Sequence, residues 1–148
     1  MDEFEDHIGP FAFELTQSLV KKYQDLISSG DDDKSEDQEE KILAAVGVVS
    51  AIRRIIQSIE KNKAMMHQCL PALMPIMMHT LTEDGLDSID EGLELTNIFV
   101  YHAYDKGEVM PVEMWRLLPQ VIYITAGNDG DIDGGAAFEC LNNAVVVV

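Results

Sequence analysis

The sequence predicts an all-α protein, an α-α superhelix of helical hairpins with six helices in about three repeats. Two observations carry this fold class. Apolar residues recur at steps of three or four along nearly the whole chain, while the alternation of a half-buried strand is almost absent. Glycines, prolines and one acidic run divide that pattern into helix-length segments joined mostly by short connections, as antiparallel helical hairpins are. A composition that is 47% hydrophobic over 148 residues is enough for a packed core, so wholesale disorder is not expected.

The first helix is predicted from about Ile8 to Ser29, with an apolar stripe of Ile8, Phe11, Leu15, Leu19, Tyr23 and Leu26. Pro10 suits its first turn, where a missing N–H costs little, and Gly30 ends it. The run "DDDKSEDQEE" follows as a solvated acidic loop over residues 30–40, inside which Ser35 and Gln38 have the spacing of a capping box. The second helix carries Ile42, Val46, Val49, Ile52, Ile56 and Ile59 on one side. Gly47 interrupts it at about 1 kcal/mol relative to alanine, a cost that close helix packing would explain.

A third helix is expected over about Lys63 to Leu81, with Met66, Leu70, Leu73, Met77 and Leu81 on one face and Pro71 and Pro75 bending it. The fourth runs from about Leu86 to Tyr104 through Ile89, Leu93, Thr96, Val100 and Ala103, stopping at Gly107. The fifth begins at "MPVEMW" with Pro111 in its first turn, buries Trp115, Leu118, Val121 and Ile122, is kinked by Pro119 and closes at Gly127. The sixth runs from about Asp133 to the terminus, with Ala137, Leu141, Ala144 and Val148 as its stripe. The apolar "AVVVV" at the end reads as a cut through a longer structure and as a surface for self-association.

The segments "IGPFAFELTQSLV", "CLPALMPIMMHTL" and "LLPQVIYITAG" each place a proline early in an apolar helix, at Pro10, Pro71 and Pro119. A repeat of roughly 40–47 residues built on helix pairs is the HEAT signature, and each such pair buries its face only against its neighbours. The expected organisation is therefore a single HEAT-repeat segment spanning 1–148, with hairpins over 8–59, 63–104 and 111–148. A compact helical bundle is the alternative fold.

The formal net charge is −17, from 27 acidic and 10 basic residues, and from Ala64 onward only Lys106 and Arg116 are basic. Such a surface repels phosphate backbones, so no direct nucleic-acid binding is expected, and it steers basic proteins toward itself. No apolar run approaches the roughly 20 residues of a membrane span, and the acidic start "MDEFEDHIGP" is no signal peptide, so the chain reads as soluble and intracellular without membrane insertion.

His7, His67, His79 and His102 show no helical metal spacing, and no nucleophile, base and carboxylate fall into a recognisable pattern. No enzyme, no metal and no cofactor are expected. Cys69 and Cys140, far apart and without CxxC spacing, read as reduced core residues. The methionines of "AMMHQCLPALMPIMMHTL" read as flexible core filling rather than as an adaptable binding groove, and Trp115 as a core anchor. Arg53 and Arg54 read as a solvated face with local ion pairs.

"NDGDIDGGAAFE", Asn128 to Glu139, opens like a calcium loop, with Asp129, Asp131, Asp133 and Gly134 at positions one, three, five and six. Position eight is then Ala136, and position twelve, which should be a bidentate glutamate, is Cys140. Starting at Asn128 restores Glu139 but puts Gly130 and Ile132 at ligand positions. The stretch is expected to be a turn whose Asp131 or Asp133 caps the sixth helix.

"HIGPFAFELTQSLVKKYQDLI", the acidic insertion, "ILAAVGVVSAIRRIIQSIE" and above all "VMPVEMWRLLPQVIYI" resemble a segment of an importin-β superfamily receptor of the importin-7 and importin-8 type. The matching positions are Pro10, Phe11 and Ala12; Gly47, Val48 and Val49; and Pro111, Met114, Trp115, Leu117, Leu118 and Pro119. The resemblance covers about residues 7–145. It implies a HEAT-repeat nuclear transport receptor that carries basic cargo, such as ribosomal proteins and histones, through nuclear pores under control of the GTPase Ran. It implies shuttling between cytoplasm and nucleus, and contacts with Ran and nucleoporins made through the full-length receptor. Receptors of this family are several times longer than this chain. No cargo-, Ran- or nucleoporin-contacting residue carries over, because the matched positions are helix-packing positions. The acidic charge fits basic cargo independently of the resemblance. A stand-alone acidic helical chaperone or adaptor for basic proteins is the rival reading, and a calcium-regulated protein a third.

Overall fold

The computed structural model describes residues 9–28, 35–103 and 109–127. Five α-helices lie within them: α1 (Ala12–Ser28), α2 (Ser35–Ser58), α3 (Lys63–Thr80), α4 (Ile89–His102) and α5 (Val112–Gly127). Short 3-10 segments over Gly9–Phe11 and Glu83–Ser88 lead into α1 and α4. The sixth predicted helix, the calcium-like stretch, Cys140, the apolar C-terminus, His7, and the turn containing Gly107 lie outside the described residues.

Helix α1 packs on α2 and on α3, α2 packs on α4, and α3 packs on α4 and α5. The odd-numbered helices thus form one layer and α2 and α4 the other. Stacked antiparallel helix pairs in two layers are the arrangement of a HEAT-like helical solenoid. The core runs continuously between the layers, and includes Tyr23, Ile52, Ile56, Met66, Leu73, Met77, Leu93 and Phe99. Each fully buried aliphatic side chain contributes roughly 1.5–3 kcal/mol relative to exposure.

The middle helices bury the faces that their periodicity predicts, except in the first half of α2, where Ala45 and Val48 are buried and the predicted Ile42 and Val46 only half-buried. Val49, Ile52, Ile56 and Ile59 are buried on α2 and just beyond it, Met66, Leu70, Leu73, Met77 and Leu81 on α3 and at its end, and Ile89, Leu93, Thr96, Val100 and Ala103 along α4. Met66 and Met77 fill the core, and Met65, Met74 and Met78 pack against its edge. Asn62 caps α3 by accepting a hydrogen bond from the Met65 backbone N–H at 3.2 Å. The helix assignment continues through Pro71 and Pro75, and both rings are exposed. They lie four residues apart on the same side as His67, so the carbonyls that lose their helical donors face solvent.

The flanking helices depart from the predicted stripes. On α1 the buried line is Ala12, Thr16, Val20 and Tyr23, with Leu19 and Leu26 partly buried, while Phe11 and Leu15 are exposed. Small residues, Ala12 and Thr16, occupy the inner line at the start of α1, and the large Tyr23 fills it near the end. On α5 the buried residues are Met114, Leu117, Val121 and Ile124, whereas Trp115 is 38% and Ile122 55% exposed. Trp115 is therefore not a core anchor. The true stripe runs one position ahead of Trp115 and Leu118, on the side that faces α3. Pro111 precedes α5, and its carbonyl accepts from the Met114 N–H at 3.0 Å.

Glycine also behaves differently from expectation. A Cβ on Gly47 would meet nothing within 4 Å, so no close packing requires that glycine. The close approach occurs elsewhere. A Cβ on Gly92 would lie 2.6 Å from Thr80 Cβ and overlap its hydroxyl, and one on Gly85 would lie 2.8 Å from the His79 carbonyl carbon and from Thr80 Cα. The α3–α4 joint is built on these two positions. Its buried hydroxyls are turned inward on their own helices: Thr80 donates to the Met77 carbonyl at 3.0 Å and Thr96 to the Gly92 carbonyl at 2.8 Å. Neither leaves an unsatisfied donor in the core.

Candidate functional site

Among the described residues, His67, His102 and Cys69 are engaged within the fold. His67 Nε2–H donates to the Ala103 carbonyl at 2.6 Å, tying α3 to the end of α4. His102 Nε2 lies 3.4 Å from a Glu60 carboxylate oxygen. Cys69 is a free, buried thiol. Burial pushes its pKa up, and the neighbouring Thr16 hydroxyl partly offsets the shift. That hydroxyl is itself buried and makes no hydrogen bond of full strength, so the thiol is a weak contact at a crowded crossing. Among the described residues no group of three or more His, Cys, Asp or Glu side chains could hold a metal ion. No helix among them is long and apolar enough to cross a membrane.

Arg53 does not stay on its own helix. Its Nε lies 2.7 Å from Glu91 and its Nη1 2.6 Å from Glu94, so one guanidinium on α2 joins two carboxylates one turn apart on α4. Both pairs are partly exposed, which limits their worth to the modest range of surface ion pairs. Arg54 beside it is exposed.

One groove draws on three separated stretches of sequence. Its walls are the end of α1 (Tyr23, Leu26, Ile27), the early turns of α2 (Gln38, Ile42, Ala45) and the 3-10 segment before α4 (Asp84, Asp87, Ser88), enclosing about 480 Å³. At its back the Tyr23 hydroxyl and His79 Nδ1 are hydrogen-bonded at 2.7 Å, with the rings edge to face at 5.6 Å. Burial raises the Tyr23 pKa to about 12, so the phenol stays protonated across the physiological range. The Gly85 contact with the His79 backbone sets how closely the 3-10 segment approaches α3, and so how wide the groove stands. Asp84 and Asp87 are exposed at its rim, and acidic side chains at Asp37, Glu39, Glu40, Glu83 and Asp90 are exposed in the neighbouring turns. No single stretch of sequence signals this groove, because its parts lie at residues 23–28, 38–45 and 79–88.

A two-layer stack of antiparallel helix pairs is the architecture of the α-solenoid class. Within that class, an Arabidopsis thaliana protein named "Importin beta-like SAD2 homolog" is 34% identical to this chain over 118 residues. The match covers 79% of this chain and 11% of that protein, so the chain spans about a tenth of its relative's length. No family model matches the chain, and no solved structure matches it. The sequence similarity places the chain with importin-β-like proteins at the level of the superfamily.

Proposed function

We propose that this chain is a HEAT-repeat segment of a nuclear import receptor, akin to the importin-7 and importin-8 branch, and that it acts as a non-catalytic scaffold for basic protein cargo such as ribosomal proteins and histones. The observation that carries this reading is the 34% identity to an importin-β-like protein over 79% of the chain. Two further features support it: the layered stack of helix pairs, and a net charge of −17 that favours encounter with basic proteins. In this reading, Ran control and nucleoporin contacts belong to the full-length receptor, which shuttles between cytoplasm and nucleus. The hairpins over 8–59, 63–104 and 111–148 are successive repeats within it.

The test is a titration of the 148-residue chain into a fluorescently labelled ribosomal protein or core histone, read by anisotropy at low and at physiological salt. Binding that weakens several-fold between about 50 and 200 mM salt is expected of many weak charge contacts. Absence of binding at low salt sinks the cargo part of the reading.

A further inference from the structure

We propose that the groove between α1, α2 and the 83–88 segment is an anchor for one long cationic side chain, lysine or arginine, of a partner protein. The stem would lie along Leu26, Ile27 and Ile42 and the head at Asp84 and Asp87. The inference rests on the basic-partner reading above and assigns it a place and a chemistry.

The walls of the groove are divided by type. Leu26, Ile27, Ile42 and Ala45 form an aliphatic strip on the α1 and α2 sides, beside the polar Ser28, Gln38 and Lys41, and the 3-10 segment before α4 presents the carboxylates of Asp84 and Asp87. That division suits an amphipathic side chain, which covers apolar surface with its methylenes while its charge stays near water. The polar group at the back makes no demand for an anion, since Tyr23 and His79 already satisfy each other. Lys41, the cation on the α2 wall, has an interaction of its own within the protein.

The acids of this region also differ in what they face. Glu91 and Glu94 are taken up by Arg53. Asp84 and Asp87, a turn or two earlier, have no ion pair among the described residues and open onto the groove. Of the exposed acids in this region, these two line the groove, so an incoming cation whose stem lies in the recess meets them first. A recess of about 480 Å³ accepts a side chain with some of its water. It is too small for a helix about 10 Å across. Charge contact at exposed carboxylates is individually weak, so stem burial must supply part of the affinity.

The experiment uses the full chain and hexalysine as probe at low salt, followed by amide chemical shifts and by titration calorimetry. Hexalysine should shift the amides of Ile42, Gly85 and Ser88, and Asp84→Asn/Asp87→Asn should weaken it by about 5–10-fold, as expected for loss of a locally favoured charge site. A charge-matched control, Glu14→Gln/Glu113→Gln, removes two exposed acids elsewhere and should change affinity by less than about twofold. A hexamer of 2,4-diaminobutyrate has the same number of amines on stems two methylenes shorter, and should bind several-fold more weakly because each buried methylene is worth about a factor of four. Lys41→Gln, which leaves both aspartates in place, should tighten binding.

Equal losses in the two double variants, or equal affinity for the short-stemmed hexamer, would overturn the groove while leaving a diffuse acidic surface for basic partners. Failure of hexalysine to bind the unmodified chain removes both the groove and the basic-partner reading.

Discussion

The α3–α4 joint and the outward side of α2 both carry glycine, in surroundings that have little in common. At the joint, Gly85 and Gly92 lie against the His79 backbone and the Thr80 side chain, with no room for a methyl group on either. On α2, Gly47 is exposed and faces open space. The first pair permits two helices and a 3-10 turn to approach closely enough that the groove beside Tyr23 and His79 takes its shape. The second does nothing that another residue could not do, and weakens its helix. A glycine inside a helical pattern therefore says only that the helix tolerates a cost, and what lies opposite decides whether anything is gained.

The joint is the place where a single methyl group should do most harm. Gly85→Ala drives a Cβ into main-chain atoms of His79 and Thr80 that cannot rotate away, and should cost about 3 kcal/mol, the upper range for overpacking. Gly92→Ala meets the Thr80 side chain and should cost about 2 kcal/mol by the same mechanism. Thermal or urea unfolding of both variants measures this. Adding Thr80→Ala removes the overlapping hydroxyl and methyl, so it should recover part of the Gly92→Ala loss and none of the Gly85→Ala loss. Equal recovery in both would show that the joint yields as a whole.

The same joint predicts a pH dependence. Tyr23 ionises near 10 in an unfolded chain and near 12 in the folded one, because burial disfavours the phenolate. Below pH 10 both states hold the proton and the native contribution is fully present. Between 10 and 12 the unfolded chain releases it first, so stability falls as pH rises, by an amount on the order of 2 kcal/mol once pH 12 is reached. Urea midpoints from pH 8 to 11.5 check this against Tyr23→Phe. That variant starts lower, since it leaves His79 Nδ1 without its partner, but should lose less over the alkaline range. Parallel curves for the two proteins would mean that Tyr23 does not report on the joint.

The fold was most legible in the middle of the stack. Along α3, α4 and the second half of α2 the large apolar residues are also the buried ones, so Ile52, Leu73 and Leu93 repeat at the period of their burial. At α1 and α5 the periodicity is right for Tyr23 and Val121 and in part for Leu19, Leu26 and Leu118, but misplaces Phe11, Leu15, Trp115 and Ile122, because both helices carry large apolar residues on an exposed side as well as a buried one. Phe11 and Leu15 attract the stripe away from Ala12 and Thr16, and Trp115 away from Met114. Hydrophobicity weights size, whereas position against the neighbouring helix decides burial, which falls on the small Ala12 and Thr16 at the start of α1 and on Met114 rather than Trp115 on α5. The groove was not legible at all. Leu26, Ile42 and Asp87 have unremarkable neighbours in sequence and acquire meaning only when three elements converge. The acidic charge was visible from composition, but not its partition between carboxylates held by Arg53 and carboxylates facing the groove.

Gly47 offers the smallest effect and the most direct check of the contrast between the two sites. Alanine there would place its methyl in open space, with nothing within 4 Å and a helical backbone already formed over Ser35–Ser58. It would also narrow the conformations open to the unfolded chain. Gly47→Ala should therefore stabilise the protein by about 0.5–1 kcal/mol, in the opposite direction to the same substitution at Gly85 or Gly92. Chemical unfolding at neutral pH measures it, and hexalysine affinity should be unchanged because Gly47 does not line the groove. If Gly47→Ala destabilises instead, α2 must meet a close neighbour on that side in solution. An uncovered solenoid face stacked against another molecule or another part of a longer chain would supply one. The sign of this one substitution thus reports whether the exposed side of α2 is truly solvent-facing.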